Sequence, residues 1–299
     1  MRVGITGGTG LLGRQVSAAL LGRGDSVVVL SRSESAQVPG AEIRAWDGES
    51  GPLPADSLDD LDAVVHLAGA SLTGGRWTES RKRELYNSRV VTTRNLVAEW
   101  SVMDRAPRVL VSASAIGYYG DRGDERLSES AGPGSGFLAG LCADWEAAAK
   151  PATGSGARLA VMRSAPVLDP RGGMLAKLLP VFRVGLGGKL GSGKQWMPWI
   201  HHADWTRLVL HALDDGAVAG PVNAVAPEPV TNAAFTRELA GALGRPAFLA
   251  VPGFALRLAM GEVASTVLGG QYVVPGAALG TGFEYSFPEL RGALDDLLG

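Results

Sequence analysis

Short apolar runs alternate with longer helix-like stretches through the first half of the chain. The run Val27–Leu30 is apolar at every position, which is typical of a strand buried on both faces of a parallel sheet. Strands are predicted at Val3–Thr6, Ser26–Leu30, Glu42–Trp46, Asp62–Leu67, Arg108–Val111 and Arg158–Met162. Helices are predicted between them at about 11–23, 79–101 and 136–150. This alternation predicts βαβ units and an α/β fold with a doubly wound parallel sheet.

The second half of the chain is less regular. Glycines interrupt the stretch 185–198, which indicates a loop or hairpin over a cleft. A strand at Pro221–Val225 and helices at about 231–243 and 288–298 are predicted beyond it. We therefore expect a smaller α+β lobe on the substrate side. The expected division is a sheet domain at 1–220, which carries parts of that lobe, and a C-terminal domain at 221–299.

A glycine-rich turn follows the first strand and opens the first helix. Gly7, Gly10 and Gly13 lie three residues apart. This spacing allows a tight turn, a close backbone approach to a pyrophosphate and close packing of helix on strand. The helix N-terminus offers free N–H groups and a favourable dipole to the phosphates. A Rossmann dinucleotide site is therefore predicted, with contacts at Gly7, Thr9, Gly10, Leu11, Leu12 and Gly13.

The end of the second strand indicates which dinucleotide is bound. Arg32 stands where NAD-preferring folds place an acidic residue, and its guanidinium suits a ribose 2′-phosphate. Ser31 and Ser33 flank it as helpers, and Asp47 is a candidate acceptor for the adenine amino group. The predicted cofactor is NADP(H). The backbone after the fourth strand is expected to approach it at Leu67, Ala68 and Gly69.

Charge and composition exclude several classes of protein. The 28 basic and 30 acidic residues give a net charge of -2, which is no electrostatic footprint for nucleic acid or an anionic membrane. No apolar run of about 18 residues occurs, so a membrane span is not expected. The single cysteine, Cys142, fits a reducing compartment, and the four histidines show no metal-ligand spacing. We expect a cytoplasmic, metal-free monomer or homodimer that acts on a small molecule.

Longer motifs are spread from one end of the chain to the other. They are Gly7–Gly13, His66–Gly69, Arg76–Arg81, Ser114–Gly120, Gly172–Leu175, Gly191–Gly193, Gln195–His201 and Gly220–Pro227. Together they resemble the extended short-chain dehydrogenase/reductase superfamily, and within it an atypical branch of epimerase family proteins with a C-terminal domain of unknown function. The resemblance implies an NADP(H)-binding Rossmann domain but no established substrate. Arg89 and Ser112 are further expected cofactor contacts.

The resemblance also implies a catalytic pattern from which this chain departs. Members of the superfamily use a Tyr-x-x-x-Lys pair on the helix after the fifth strand, with a Ser or Thr that polarises the substrate oxygen. Ser114 matches that Ser or Thr, although one extra residue before Gly120 loosens the alignment. Cys142 stands at the tyrosine position and Glu146 at the lysine position. Arg89 stands where the superfamily has an asparagine.

The replaced pair reverses the local electrostatics. Cys142 and Glu146, four residues apart, share one helical face, and an ionised glutamate raises the pKa of a neighbouring acid. Cys142 is therefore expected to be a thiol rather than a thiolate, unless Arg89 compensates. Three outcomes stay open. Glu146 acts as the general acid/base if burial favours its protonated form, Tyr118 or Tyr119 transfers the proton, or no hydride chemistry occurs.

The substrate side is expected to be lined mainly by aromatic side chains, although core packing explains the tryptophans about equally well. The candidate contacts are Trp77, Tyr119, Trp196, Trp199 and His201. A backbone hydrogen bond is the structural alternative for His201. Three functions remain open. The first is an NADPH-dependent oxidoreductase with a non-standard proton relay, in which Ser114 polarises the oxygen and Glu146, Cys142 or a nearby tyrosine is the acid/base. The others are a cofactor-binding regulator or redox sensor without turnover, and a sugar-nucleotide epimerase. The last is least favoured, because that chemistry relies on the missing tyrosine.

Overall fold

A seven-stranded parallel sheet is the centre of the computed structural model, which describes residues 1–54, 56–100, 102–103 and 105–299. The strands of the described chain are β1 (Arg2–Thr6), β2 (Ser26–Ser31), β3 (Glu42–Ala45), β4 (Ala63–His66), β5 (Val109–Ala115), β6 (Gly123–Leu127), β7 (Arg158–Ser164), β8 (Val167–Leu168), β9 (Ile200–His201), β10 (Gly220–Ala224) and β11 (Gln271–Val273). The order across the main sheet is β10-β7-β5-β4-β1-β2-β3. The strand order reverses at β1, and doubly wound sheets bind ligands in the crevice at such a switch point. The predicted α/β fold is confirmed.

Helices cover both faces of this sheet. They are α1 (Leu11–Gly22), α2 (Glu79–Tyr86), α3 (Thr92–Trp100), α4 (Phe137–Ala149), α5 (Gly173–Arg183), α6 (His202–Asp214), α7 (Asn232–Ala242), α8 (Gly253–Met260), α9 (Ser265–Leu268), α10 (Gly276–Gly280) and α11 (Leu290–Leu298). Leu20 of α1 packs with Trp205 of α6 on one face. Leu96 and Trp100 of α3 pack on the other face. All four side chains are buried, so the sheet is a covered middle layer.

One predicted helix is interrupted. The pattern predicts a single helix over 79–101, but a π-helical turn, Asn87–Val91, joins α2 to α3. Residue 101 lies outside the described residues. The π turn contains the buried Arg89, and such turns are frequent at functional sites. It adds one residue to the helical repeat, a local change too short to alter the apolar periodicity from which the helix was predicted.

A second core lies in the smaller lobe. There α5, α7 and α11 pack around the buried Trp199. The stretch 185–198 is a loop, as predicted, and single bridges tie it to Thr231 and Val251. β10 belongs to the main sheet, and the division of the chain at residue 220 stays a prediction. In the described part of the chain, no helix combines the length and apolar character needed to cross a bilayer.

Candidate cofactor and active site

The glycine-rich turn after β1 leaves no room for side chains. Gly7 has a φ of 68°, in the left-handed region that favours glycine. A Cβ on Gly13 would lie 2.3 Å from the Gly7 carbonyl oxygen and 2.6 Å from Gly8 Cα. A Cβ on Gly8 would meet Val29 of β2 at 2.7 Å. Neighbouring main-chain atoms and the Val29 side chain therefore leave no space for a side chain at Gly8 or Gly13.

The first turn of α1 offers uncapped amides at the carboxyl edge of the sheet. Gly10 is the N-cap, and it supplies no side-chain hydrogen bond to the first N–H groups. Thr9 and Gly10 are exposed, and Leu11 and Leu12 are half-buried. The first N–H groups of a helix have no partner within the helix, and the dipole makes that end attractive to an anion. The predicted diphosphate contacts thus surround one helix terminus.

Arg32 is an exposed cation just after β2. It has no ion-pair partner among the residues that the structure describes. Beside it, the Ser33 N–H donates to Ser31 Oγ at 3.3 Å. Asp47 is less free, because its carboxylate accepts from the N–H two residues later and from the Ser50 hydroxyl. Arg32 can therefore turn to a phosphate, whereas Asp47 has to share its oxygens to reach an adenine.

A buried hydrogen-bond chain links β1, β4 and α3. Thr6 Oγ1 accepts from the N–H groups of Leu67 and Ala68 at 3.1 and 3.2 Å, so its own proton goes to His66 Nδ1 at 2.7 Å. His66 Nε2 then donates to Thr93 Oγ1 at 2.8 Å. Burial lowers the pKa of His66 to about 4, in agreement with this neutral tautomer. The chain fixes the loop after β4, where backbone contacts to the cofactor are predicted.

Stability should fall as the pH drops below the ordinary range of histidine. His66 takes up a proton near pH 6.5 in the unfolded chain but only near pH 4 in the folded one. Between these values the unfolded state binds more protons, so the free energy of unfolding decreases by up to about 3 kcal/mol. Urea unfolding at both ends of the window measures the decrease.

The variant His66→Gln isolates this contribution, because glutamine does not titrate. Between the two pH values, its free energy of unfolding should fall by about 2 kcal/mol less than that of the wild type. His211→Gln, in a half-buried position on α6, is the matched control and should lose nearly as much stability as the wild type. Equal losses in the wild type and His66→Gln would contradict the neutral buried tautomer.

Arg89 is a buried cation beside the loop after β4. It is 7% exposed, and it forms no ion pair with a carboxylate of the described chain. Its Nη2 donates to the Ala70 carbonyl at 2.8 Å, and its guanidinium lies 5.2 Å from the centroid of the Trp145 ring. A Cβ on Gly69 would lie 3.1 Å from Arg89 Cζ. Burial lowers the pKa of Arg89 to about 10, so it stays charged at neutral pH and can attract a bound anion.

Ser114, Glu146 and Arg163 form one hydrogen-bonded cluster. Ser114 of β5 and Arg163 of β7 are register partners on neighbouring strands. Ser114 Oγ donates to Glu146 Oε1 at 2.7 Å, and Arg163 donates to both Glu146 oxygens at 2.9 and 2.8 Å. Burial alone would lower the pKa of Arg163, but its hydrogen bonds to Glu146 and Tyr119 raise it. Glu146, with 14% of its side chain exposed, is thus an acceptor held between a serine and a cation.

Cys142 lies one helical turn before Glu146 on α4 and is 1% exposed. Burial, followed by the charge of Glu146, raises the pKa of Cys142 to about 12, and Arg89 offsets only part of this. The prediction that Cys142 is a thiol rather than a thiolate is confirmed. A general acid or base works best with a pKa near the operating pH, so Cys142 is poorly suited to proton transfer at neutral pH.

The two tyrosines of the short 3₁₀ turn Ile116–Tyr119 differ in their surroundings. The buried Tyr119 hydroxyl donates to Asn223 Oδ1 at 2.6 Å and accepts from Arg163 Nη1 at 3.0 Å. Burial raises the pKa of Tyr119. Tyr119 therefore links β7 and β10, and its contact with a substrate stays a prediction. Tyr118 is half-buried, and its ring centroid lies 3.6 Å from Arg163 Cζ, next to the serine–glutamate pair.

Three more of the predicted substrate contacts are packing residues. Trp77 is 7% exposed, and its Nε1 donates to a backbone carbonyl at 3.0 Å. Trp199 lies inside the core of the smaller lobe. His201 Nδ1 accepts from the N–H of Ala203 at the start of α6. This is the backbone hydrogen bond that was the structural alternative for His201. These contacts are structural, and a role of the three side chains towards a substrate stays a prediction. Of the five side chains predicted to contact a substrate, only Trp196 is half-buried, and the other four are buried.

Arg163 and Glu129 belong to this hydrogen-bonded cluster but are not among the residues predicted from the sequence. Arg163 Nη1 also donates to the Glu129 carbonyl at 3.1 Å. Glu129 Oε1 in turn accepts from the N–H groups of Asn223 and Ala277, both at 3.0 Å. A signal for Arg163 was present, since a charged residue directly after the apolar run Leu159–Met162 enters a sheet covered on both faces. A charge in such a place needs a partner.

The residues at this edge of the sheet fit NADP(H). The turn at Gly13 has no space for a Cβ, so a ligand can approach its backbone. The Arg32 guanidinium forms no ion pair in the described chain. Ser112 Oγ is buried without a hydrogen-bond partner in the described chain. Ser112 pairs in register with His66, at the carboxyl end of β4. A buried hydroxyl without a partner is rare in native proteins, so Ser112 is a candidate to bond a ligand.

Known proteins resemble the chain over its whole length. Residues 3–224 match the NAD dependent epimerase/dehydratase family, and residues 251–297 match a domain of unknown function, DUF1731. An epimerase family protein of Mycobacterium bovis is 41% identical over 98% of this chain and 96% of its own length. The human epimerase family protein SDR39U1 is 38% identical, with 100% of both chains covered.

Two solved structures extend the similarity to the fold. Human SDR39U1 (isoform 2), crystallised with NADPH, gives a TM-score of 0.91 at 37% identity, over 100% of this chain and 99% of that one. The nucleoside-diphosphate sugar epimerase of Corynebacterium glutamicum gives a TM-score of 0.82 at 36% identity, over 100% of this chain and 58% of that one. The family resemblance that the motifs indicate is confirmed.

Proposed function

Because the chain belongs to the NAD dependent epimerase/dehydratase family, we propose that it is an NADP(H)-dependent oxidoreductase with a non-standard proton relay. Its substrate is a small carbonyl or hydroxyl compound. Ser114 and Glu146 move the proton in place of the Tyr-x-x-x-Lys pair. The observation that carries the proposal is the 2.7 Å hydrogen bond from Ser114 Oγ to Glu146 Oε1, at the positions of the superfamily's hydroxyl and lysine.

The cofactor supplies a hydride donor or acceptor when bound. The glycine-rich turn and the amides of α1 would hold the diphosphate, and Arg32 with its flanking serines would hold the 2′-phosphate. Ser112 and the charged Arg89 supply further polar groups at the same sheet edge. The crystal structure of human SDR39U1 with NADPH supports NADP(H) as the cofactor.

The direction of the hydrogen bond at Ser114 decides how the site handles a substrate. The Ser114 proton points to Glu146, so Ser114 Oγ faces a substrate as an acceptor. A substrate hydroxyl donates to Ser114. As its carbon gives up a hydride, the hydroxyl proton passes to Ser114 Oγ and the serine's own proton passes to Glu146 Oε1. Arg163 keeps the carboxylate oriented, and the reverse order delivers a proton to a carbonyl oxygen during reduction.

Two other functions have less support. A cysteine-based redox sensor needs an accessible thiolate, whereas Cys142 is buried and its pKa is raised to about 12. Sugar-nucleotide epimerisation in the superfamily relies on the tyrosine that Cys142 replaces. Tyr118 is the second candidate for proton transfer, because it is half-buried against Arg163.

A turnover assay tests the proposal. The purified chain is incubated with NADPH and a panel of aldehydes, ketones and keto acids, and separately with NADP⁺ and a panel of alcohols. We expect saturable oxidation of NADPH, or reduction of NADP⁺, with at least one compound class. Tight NADPH binding without turnover in either panel would overturn the oxidoreductase in favour of a cofactor-binding regulator.

Arg32→Ala should weaken NADPH binding about 10- to 100-fold and leave NADH binding nearly unchanged. Only NADPH carries the 2′-phosphate, and Arg32 has no competing carboxylate in the described chain. Calorimetric titration with both nucleotides measures the ratio of affinities. Arg237→Ala, an exposed arginine on α7, is the control and should change neither affinity. An equal loss for both nucleotides would show that Arg32 does not recognise the extra phosphate.

A further inference from the structure

One face of the smaller lobe carries most of the exposed large apolar side chains of the described chain. Eight of eleven such residues lie in two segments, 181–186 and 248–258. Phe248 is 90% exposed, Leu258 is 77% and Phe254 is 73%. Single exposed apolar residues are normal, but a cluster of this kind marks an interaction surface. This apolar face consists of Val181, Val184, Leu186, Phe248, Leu249, Val251, Phe254 and Leu258.

Backbone contacts hold the two segments side by side. The Val251 N–H donates to the Lys189 carbonyl at 2.9 Å. A Cβ on Gly188 would overlap the Leu249 carbonyl oxygen at 1.3 Å, so the chains touch there without any intervening side chain. A shallow depression of about 370 Å³ is lined in part by Lys189 and Phe248. The two segments that carry the apolar face therefore lie against each other at 188–189 and 249–251.

Helix α8 carries two residues of the apolar face on its outer side. Phe254 and Leu258 are four residues apart and share that side. Leu256 and Met260, on the opposite side, are half-buried against the body of the protein. Arg76 Nε donates to a carbonyl in the last turn of α8 at 3.1 Å and so anchors the helix. Phe254 and Leu258 are therefore exposed although α8 itself is packed against the protein.

The apolar face is also cationic. No Asp or Glu occurs within 170–203 or 239–261, although the whole chain has 30 acidic residues. The exposed cations of these segments that form no ion pair with a described carboxylate include Arg183, Lys189, Arg245 and Arg257. The net charge of -2 does not reveal this cluster, and the expectation of no footprint for an anionic membrane rests on that net charge alone.

We propose that this apolar face docks onto the surface of an anionic phospholipid bilayer. Protruding apolar side chains enter the acyl boundary while the cations around them meet anionic headgroups. An amphipathic peptide fits a groove lined by apolar side chains, whereas Phe248 and Phe254 project outwards. A symmetric contact with a second copy would place this patch against the same patch of the other copy, so the unpaired cations of both would repel each other. An anionic bilayer offers an apolar environment to the apolar side chains and negative charge to the cations.

Co-sedimentation of the full chain with vesicles tests this proposal. We expect binding to mixed phosphatidylcholine–phosphatidylglycerol vesicles, no binding to phosphatidylcholine alone, and weaker binding as salt increases. Phe254→Asp with Leu258→Asp should lower the partition coefficient at least about tenfold. Arg245→Gln and Arg257→Gln should lower it about fivefold each. Leu279→Asp on α10, at a residue that is 53% exposed, is the matched control and should bind like the wild type.

The outcomes separate the bilayer from other occupants. Thermal unfolding of each variant shows that the fold is intact, which is expected because the replaced side chains are exposed. Absent binding, equal binding to neutral and anionic vesicles, or binding that survives the double aspartate change overturns the proposal. Sedimentation of the free protein gives its oligomeric state. A dimer that dissociates in the double variant would also overturn it and assign the face to contact between two copies.

Discussion

Ser114→Ala should lower kcat about 100- to 1,000-fold in any reaction that the chain catalyses with NADPH or NADP⁺. This lies within the range of about 100- to 10,000-fold that is usual for a lost acid–base group. The change removes the oxygen that takes the substrate proton and passes its own proton to Glu146 across 2.7 Å. NADPH affinity should change by no more than about twofold, since the loss is confined to the transition state. Steady-state kinetics and calorimetric titration on the same preparation measure both quantities.

Neighbouring variants separate this relay from its alternatives. Cys142→Ala is the control, and its kcat should stay within about threefold of wild type because the buried thiol has no part in the transfer. Glu146→Gln should lower kcat as Ser114→Ala does. It also leaves Arg163 buried without its carboxylate, which costs about 3–5 kcal/mol of stability, so its folding has to be checked first. If Tyr118→Phe abolishes turnover and Ser114→Ala does not, the proton moves through the tyrosine and the relay is wrong.

The sheet and the cofactor turn were predictable because both follow local rules. Val27–Leu30 is apolar at every position because β2 is buried on both faces. This pattern can be recognised from consecutive residues alone. The spacing of Gly7, Gly10 and Gly13 likewise reports a close approach of backbone within one βαβ unit. Such features need no knowledge of which distant segments meet.

The cluster of Ser114, Glu146 and Arg163 was only half predictable, because it depends on register between strands. Ser114 and Glu146 were candidates from the family pattern, but their partner Arg163 becomes a neighbour of Ser114 only when β5 pairs with β7. The surroundings of the aromatic candidates were not predictable for a related reason. Trp77 and Trp199 have the same chemistry in a core as in a pocket, and only burial tells the two apart.

Gly13→Ala should abolish tight NADPH binding and lower the free energy of unfolding by about 2–3 kcal/mol. The added Cβ would lie 2.3 Å from the Gly7 carbonyl oxygen and 2.6 Å from Gly8 Cα. Both are backbone atoms, so no flexible side chain can yield and α1 has to move away from the turn. That movement misaligns the amides at the N-terminus of α1, which act on a diphosphate only together.

Gly22→Ala is the matched control for this change, since it lies on the same helix and its Cβ would meet no atom within 4 Å. Alanine is favoured over glycine in helices by up to about 1 kcal/mol, so this variant should be neutral or slightly more stable and bind NADPH normally. Thermal unfolding and calorimetric titration of both variants give the comparison. If Gly13→Ala binds NADPH as tightly as Gly22→Ala does, the diphosphate does not rest on this turn, and the assignment of NADP(H) to the edge of the sheet fails with it.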